Sequence, residues 1–523
     1  MKWRCTKTSE NRKFLNEDGN KYKKNSTFVI IFLCYIRTYM AETSLKNKTV
    51  KGLGWSALDN IAKIGITFLV SIVLARILSP NEYGLIGILT IFISVTNFIV
   101  DSGFTNALIR KQNATDVDYS TIFYTNLVLS AVMSLLLYLG AGPIAEFFGR
   151  TELVALTQVM SCVVVINALS IVQKARTTKN IDFKTQTKVT LISSTIGGVI
   201  GIAMAFMNYG VWALVWQQIS TQLLTTVLFW LFNRWMPRWV FSWASLKDMW
   251  SFGWKLLVSG LIDTTWKEVY QVVIGRCYSP ATLGLYTRAK QFSDLCSSNL
   301  TNVVQRVSYP VLSSIQDDRE RLKYAYKRVI KTTMLPTFVL MMGMAACSKS
   351  LILALIGDKW VDCVPMLQII CSFGMLYPLH AINLNMLQVQ GRSDLFLKLE
   401  IIKKCIAVVP LLMGIYVGIY WMLVGSFFSS VISYYFNAYY SGPCLNYSIK
   451  EQVLDILPSF LIALFMAVPV YLMSYLPINV YLLLLLQVVT GAVITIVTCE
   501  FVNLDEYIEI KNIAKPVINK IRF

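Results

Sequence analysis

The stretch "LARILSPNEYGLIG", residues 74–87, closes one long apolar run and opens another, and "IGRCYSPATLGLYTRA", residues 274–289, repeats it. Arg76, Ser79, Pro80, Gly84 and Leu85 return as Arg276, Ser279, Pro280, Gly284 and Leu285, 200 residues further on. A return at fixed spacing reads as internal duplication. Proline fixes its own backbone and pushes the preceding residue away from helix. Serine and glycine are then expected to serve the tight turn that reverses the chain. The arginine, one turn earlier, can carry its charged head to a membrane interface on an apolar stem. Arg76 and Arg276 are therefore read as interfacial anchors or gate residues.

Working outward, the echo continues through "FTNALIR" (104–110) and "LTNVVQR" (300–306), and through "YGVWALV" (209–215) and "GIYWMLV" (418–424). Apolar runs of membrane-spanning length follow one another from residue 57 to residue 502 with short polar gaps. They divide into about 14 candidate spans, which fall as two sets of six followed by two more. The chain is 523 residues, 55% hydrophobic and 15% charged, too apolar for a soluble fold of that size. The fold class expected is an all-α polytopic membrane protein. Residues 40–240 would form one six-helix bundle, 241–450 a second, and 451–523 two extra helices with a basic tail. Because each unit holds an even number of spans, both copies keep one orientation and should be related by an axis along the membrane normal.

The net charge of +19 lies in the gaps between spans rather than in a patch beside stacking aromatics, which argues against a nucleic-acid partner. Alternate gaps hold roughly thirty Lys and Arg against about five. That asymmetry puts both termini in the cytoplasm. Residues 1–39 contain an apolar core too short to span, and Met40 opens a plausible natural start, so this segment is read as an upstream extension or a surface-lying piece. The 11 cysteines are scattered without a Cys-x-x-Cys pair, and His380 is the single histidine. No metal or cofactor is expected from that pattern.

Charges at membrane depth usually face a wet cavity or a partner. Asp59 and Lys63 stand in the first span; Asp263 and Lys267 stand in the seventh, again with the acid four residues before the lysine, the favourable helical order. Glu268 follows, and the eighth span opens with Arg288, Lys290 and Asp294. Lys290 and Asp294 can pair locally, whereas Glu268 and Arg288 have no same-helix partner four residues away. A mildly cationic lining of this kind would attract an anion without holding it too tightly to release. Internal ion pairing that pins helices is the plainer reading of the Asp-x-x-x-Lys pairs, and hydrogen-bonded packing is the plainer reading of His380.

With those residues in view, the chain resembles the Wzx-like polysaccharide flippase branch of the multidrug/oligosaccharidyl-lipid/polysaccharide exporter superfamily. The Leu-Ala-Arg-x-Leu-x-Pro-x-Glu-Tyr-Gly phrase at 74–84 and the Leu-Gly-Leu-Tyr-x-Arg-Ala phrase at 283–289 carry the resemblance, which runs on to about residue 450. It implies two six-helix bundles forming a V around a central cavity, as in MATE and MurJ transporters, with two further helices behind. It implies translocation of undecaprenyl-diphosphate-linked oligosaccharide repeat units between leaflets of the bacterial inner membrane, with the lipid bilayer and other polysaccharide-assembly proteins as partners. Cavity cations of the family lie on the first and eighth helices, so Lys63, Arg288 and Lys290 are the foremost candidates for the substrate, with Glu268, Asp59, Asp263 and Lys267 behind them. A drug/cation antiporter, a lipid II flippase and a membrane polymerase or ligase are the alternatives. The last would need a large outer loop with reactive residues, and the outer gaps are short.

Overall fold

The structure, a computed structural model, describes residues 62–101 and 103–512. The reading of residues 1–39 and the candidate Asp59 lie outside the described residues. The described chain is helical from end to end. Helix α1 covers 62–77 and is followed by α2 (Pro80–Asp101), α3 (Phe104–Arg110), α4 (Asp116–Leu139), α5 (Ala141–Phe148), α6 (Glu152–Met160), α7 (Cys162–Lys179), α8 (Phe183–Phe206) and α9 (Val211–Asn233). The second half runs through α10 (Trp243–Cys277), α11 (Pro280–Ser314), α12 (Arg319–Ala346), α13 (Ser348–Leu355), α14 (Cys363–Gly374), α15 (Tyr377–Val389), α16 (Ser393–Tyr416) and α17 (Ile419–Leu445). Two more, α18 (Ile449–Leu472) and α19 (Val480–Val502), pack against α12 and α13, and a short α20 (505–512) ends the described chain.

Among the described residues, nine helical stretches are long and apolar enough to cross a membrane. Helices α9, α10, α11 and α16 coincide with expected spans but carry more polar and charged side chains, and α1 is described only from residue 62. Of these, α9, α10 and α11 line the centre together with α1 and α2. By contrast α19 exposes Leu482, Leu485, Val488, Val493 and Ile496, as a helix facing lipid must. Helices α10 and α11 are 35 residues each, about 52 Å at the α-helical rise, so they reach well beyond a hydrocarbon core of about 30 Å.

Both halves start their second helix in the same way. Ser79 donates its backbone N–H and its hydroxyl to the Glu82 carboxylate at 2.6 and 2.9 Å, and Ser279 accepts from Thr282 N–H at 3.2 Å ahead of Pro280. These are N-cap arrangements that satisfy donors the helix cannot, with proline where its missing N–H costs nothing. The other echo also has a backbone cause: Gly210 and Gly418 both sit at positive φ, +55° and +149°, just before α9 and α17.

One expectation is overturned here. Gly84 and Gly284 do not serve a turn; they lie inside α2 and α11, where those helices cross. A Cβ on Gly84 would stand 1.7 Å from the Pro280 carbonyl oxygen, and one on Gly284 would stand 2.0 Å from the Pro80 carbonyl oxygen. The repeated phrase is thus the place where the two copies meet, each presenting its glycine to the other's proline. Only glycine lets the backbones approach so closely.

Opposite that crossing is the end that carries most of the basic residues. There α10 belongs to the first half by its packing: Met249 shares a core with Phe104 and Trp235, and Gly260 leaves room for the ring of Phe98. Farther along, Tyr270 and Tyr278 donate to carbonyls of Ala407 and Gly414 on α16 of the second half. The helix therefore bridges the two bundles along its length.

Candidate functional site: a cavity between the two halves

Helices α1, α2, α9, α10 and α11 form most of the wall of a cavity in two connected compartments of about 710 and 480 Å³ that share Lys63, Thr67, Gln271, Thr287 and Gln291. The first compartment lies against the α2/α11 crossing and is walled by Tyr83, Thr90, Gln217, Gln218, Thr221, Gln222 and Arg288. The second extends between α1 and α11 toward the basic end, past Lys290, Asp294, Ser298 and Asn299. Both halves contribute walls, as a site at the interface of repeats should.

Beyond the crossing, the sparsely charged end is sealed. Arg76 donates through Nε to the Leu355 carbonyl at 2.7 Å, to the Ala354 carbonyl, and through Nη2 to the Tyr481 hydroxyl at 3.3 Å. Lys359 donates to the Ile77 carbonyl at 2.9 Å, and the buried Trp360 indole donates to the Ala75 carbonyl at 2.8 Å. Arg76 is therefore more than an interfacial anchor. The last carbonyls of α13 have no partner within their own helix and form its negative pole, and a guanidinium from the other half satisfies two of them. Arg276 differs from its repeat partner: it is exposed, with its guanidinium 5.3 Å from the ring centroid of Phe147.

The predicted site residues separate into three groups. Lys63 and Lys290 line the cavity from facing helices. Arg288 also lines it but is only 4% exposed, with its guanidinium 3.8 Å above the Tyr83 ring, 5.7 Å from that of Trp360, and bonded to Gln291. Its Nε has no hydrogen-bond partner among the described residues. Asp263 and Lys267 pair with each other at 2.7 Å, both more than half exposed, and are not among the residues lining either compartment. Glu268 is not among them either, and it accepts a hydrogen bond from Gln271, which is. Sequence spacing sought partners for Glu268 and Arg288 four residues away; each has a glutamine three residues on, an equally near neighbour on a helix.

Residues 73–365 match the family described as "Polysaccharide biosynthesis protein", more than half of the chain. The protein belongs to that family. The matched range holds the α2/α11 crossing, the seal and most of the cavity wall. Family relatives include "Teichuronic acid biosynthesis protein TuaB" of Bacillus subtilis (strain 168), 26% identical over 67% of this chain and 73% of TuaB. Another is "Succinoglycan biosynthesis transport protein ExoT" of Rhizobium meliloti (strain 1021), 27% identical over 63% of this chain and 67% of ExoT. Among solved structures, "Lipid II flippase MurJ, inward closed conformation" superposes with a TM-score of 0.70 at 14% identity, over 87% of this chain and 99% of that one. The two-bundle membrane fold implied by the resemblance is the fold of this family member.

What sequence reasoning missed in this family member is the amide lining. Gln217, Gln218 and Gln222 from α9, Gln271 from α10 and Gln291 from α11 all face the cavity. A signal was present in "WQQISTQ" (216–222), three glutamines inside a span that otherwise reads as apolar. A search for formal charges passes over such residues because amides cost less to insert. His380 proves to be a packing group: its two ring nitrogens lie 2.9 Å from the Ser430 hydroxyl and 3.0 Å from the Asn437 amide, tying α15 to α17.

Proposed function

We propose that the protein is a flippase that carries undecaprenyl-diphosphate-linked oligosaccharide repeat units from the cytoplasmic to the periplasmic leaflet of the bacterial inner membrane. The observation that carries this reading is the cavity between the halves, closed at one end, and its mixture of amide, hydroxyl and cationic groups. Amide side chains donate and accept, so Gln217, Gln218, Gln222, Gln271 and Gln291 can match sugar hydroxyls in either role. Lys63 and Lys290 supply point charges for the diphosphate, with Asp294 beside them to weaken the hold and permit release. The Arg288 Nε, left without a partner in the wall, is a further donor for an anionic oxygen.

The basic end is the cytoplasmic one by its charge. A repeat unit would enter there while its polyprenyl chain stays in lipid, passing between α1 and α11 where the second compartment lies. Parting of the α2/α11 crossing and of the Arg76, Lys359 and Trp360 contacts would then open the periplasmic side. No bond is made or broken in such a cycle. The names of TuaB and ExoT, which speak of teichuronic acid biosynthesis and succinoglycan transport, favour a glycan over a drug as cargo. Deletion of the gene followed by extraction of lipid-linked sugars tests the reading. Build-up of repeat units on the inner leaflet is the expected result; normal lipid pools with altered dye or cation efflux would replace it with an antiporter.

A further inference from the structure

A second cavity, of about 910 Å³, lies outside the transport seam, between α4 of the first half and the start of α10. Its wall is apolar along Tyr124, Val128 and Val132 on one side and Trp243, Trp250 and Leu257 on the other, and the valines and tryptophans are exposed. Lys247 is the charged residue among those lining it. Lys247 makes no ion pair or hydrogen bond among the described residues. Its chain neighbour Asp248 pairs with Lys111 at 3.2 Å, an ammonium shared with Asp118 at 3.0 Å, and Asp116 pairs with Arg238 at 3.0 Å. Lys247 is thus a cation without a direct ion-pair partner, among the described residues, at the basic end of the groove.

Length decides what fits. From Lys247 to Leu257 is about 15 Å of helix and from Tyr124 to Val132 about 12 Å, close to half of a hydrocarbon core of about 30 Å. The groove therefore spans one leaflet, the cytoplasmic one by the charge distribution. Trp243, Trp250 and Tyr124 belong to the aromatic types enriched where chains meet headgroups. We infer that this groove is a binding site for an anionic phospholipid of the cytoplasmic leaflet, with its acyl chains against α4 and α10 and its headgroup on Lys247. Such a lipid would fill the seam between the first bundle and the helix that runs on into the second. It is independent of the transport reading, because lipid occupancy can be measured without cargo.

The test uses the full chain in phosphatidylcholine nanodiscs with a trace of phosphatidylglycerol carrying a diazirine in its acyl chain, adducts being mapped by mass spectrometry. Adducts should concentrate on residues 124–132 and 243–257, and unlabelled phosphatidylglycerol should compete about fivefold better than added phosphatidylcholine of the same chains, the increment typical of one lysine at an anionic surface. Lys247→Gln should remove that preference, and Val128→Trp, at a lipid-exposed position, should remove the adducts by filling the groove. Adducts spread evenly over lipid-facing helices such as α19, or equal competition by the two phospholipids, would overturn the inference. So would displacement by undecaprenyl phosphate at concentrations where phosphatidylglycerol fails, since the occupant would then be the cargo's own chain.

Discussion

At the scale of single residues, the centre of the molecule is defined by how a few cations are held. Arg288 is buried and stacked on Tyr83, an arrangement worth about 2 kcal/mol or more when desolvated. Arg288→Ala should therefore abolish surface glycan while leaving the membrane level of the protein unchanged, as read by immunoblot beside glycan staining. Arg288→Lys should not restore it, because an ammonium lacks the planar face that stacks and the fork that reaches Gln291. If the lysine variant exports normally, stacking is not what Arg288 contributes. Lys63 and Lys290 act differently in this reading, as separate point charges on facing helices. Either alone changed to Gln should weaken export partially, and both together should abolish it. At the basic end, burial alone would lower the Lys111 ammonium, but hydrogen bonds to Asp118 and Asp248 outweigh it and hold its pKa above the usual lysine value. A raised value means the stabilisation is present below the ordinary lysine pKa and lost as pH rises through the folded one. Thermal melts of the purified protein should show an alkaline loss of stability that Lys111→Met removes.

At the scale of elements, the α2/α11 crossing is the tightest contact between the halves. Gly84→Ala or Gly284→Ala would place a methyl group inside van der Waals distance of a backbone carbonyl, which cannot move aside as a side chain end could. Overpacking of this kind costs about 1–3 kcal/mol, and the strain falls on the sealed state. We expect a cysteine at Gln218, in a background without other reactive cysteines, to become labelled by a membrane-impermeant thiol reagent from outside in either glycine variant and to stay protected without it. Unchanged protection would mean that the helices re-pack around the methyl group.

At the scale of the whole molecule, transport by alternating access requires the seal to part. Cysteines replacing Ile77 and Lys359, whose backbone oxygen and side chain lie 2.9 Å apart, allow the two halves to be joined by a cleavable bis-thiosulfonate cross-linker. Export should stop on cross-linking and resume on reduction. Continued export with the bridge intact would show that the halves need not separate at this end. Helix α10, attached to the first bundle at one end and the second at the other, is the element through which such a movement would be shared.

The duplication was legible in the chain because a repeated unit repeats its punctuation: the caps at Ser79 and Ser279 and the left-handed glycines 210 and 418 obey local rules that need no tertiary partner. Span positions followed from apolar length for the same reason, and Lys63 with Lys290 followed from the cost of placing charge at membrane depth. What only the tertiary structure decided is which polar groups share a wall. Glycines 84 and 284 read as turn residues until the opposite carbonyls are seen, Arg76 reads as an anchor or gate residue until α13 presents its last oxygens, and the glutamines of α9 pass unnoticed in an apolar span until α1 and α11 close over them. Each of these depends on atoms from the other half of the chain, hundreds of residues away in sequence, and a local pattern carries no record of what stands across the seam.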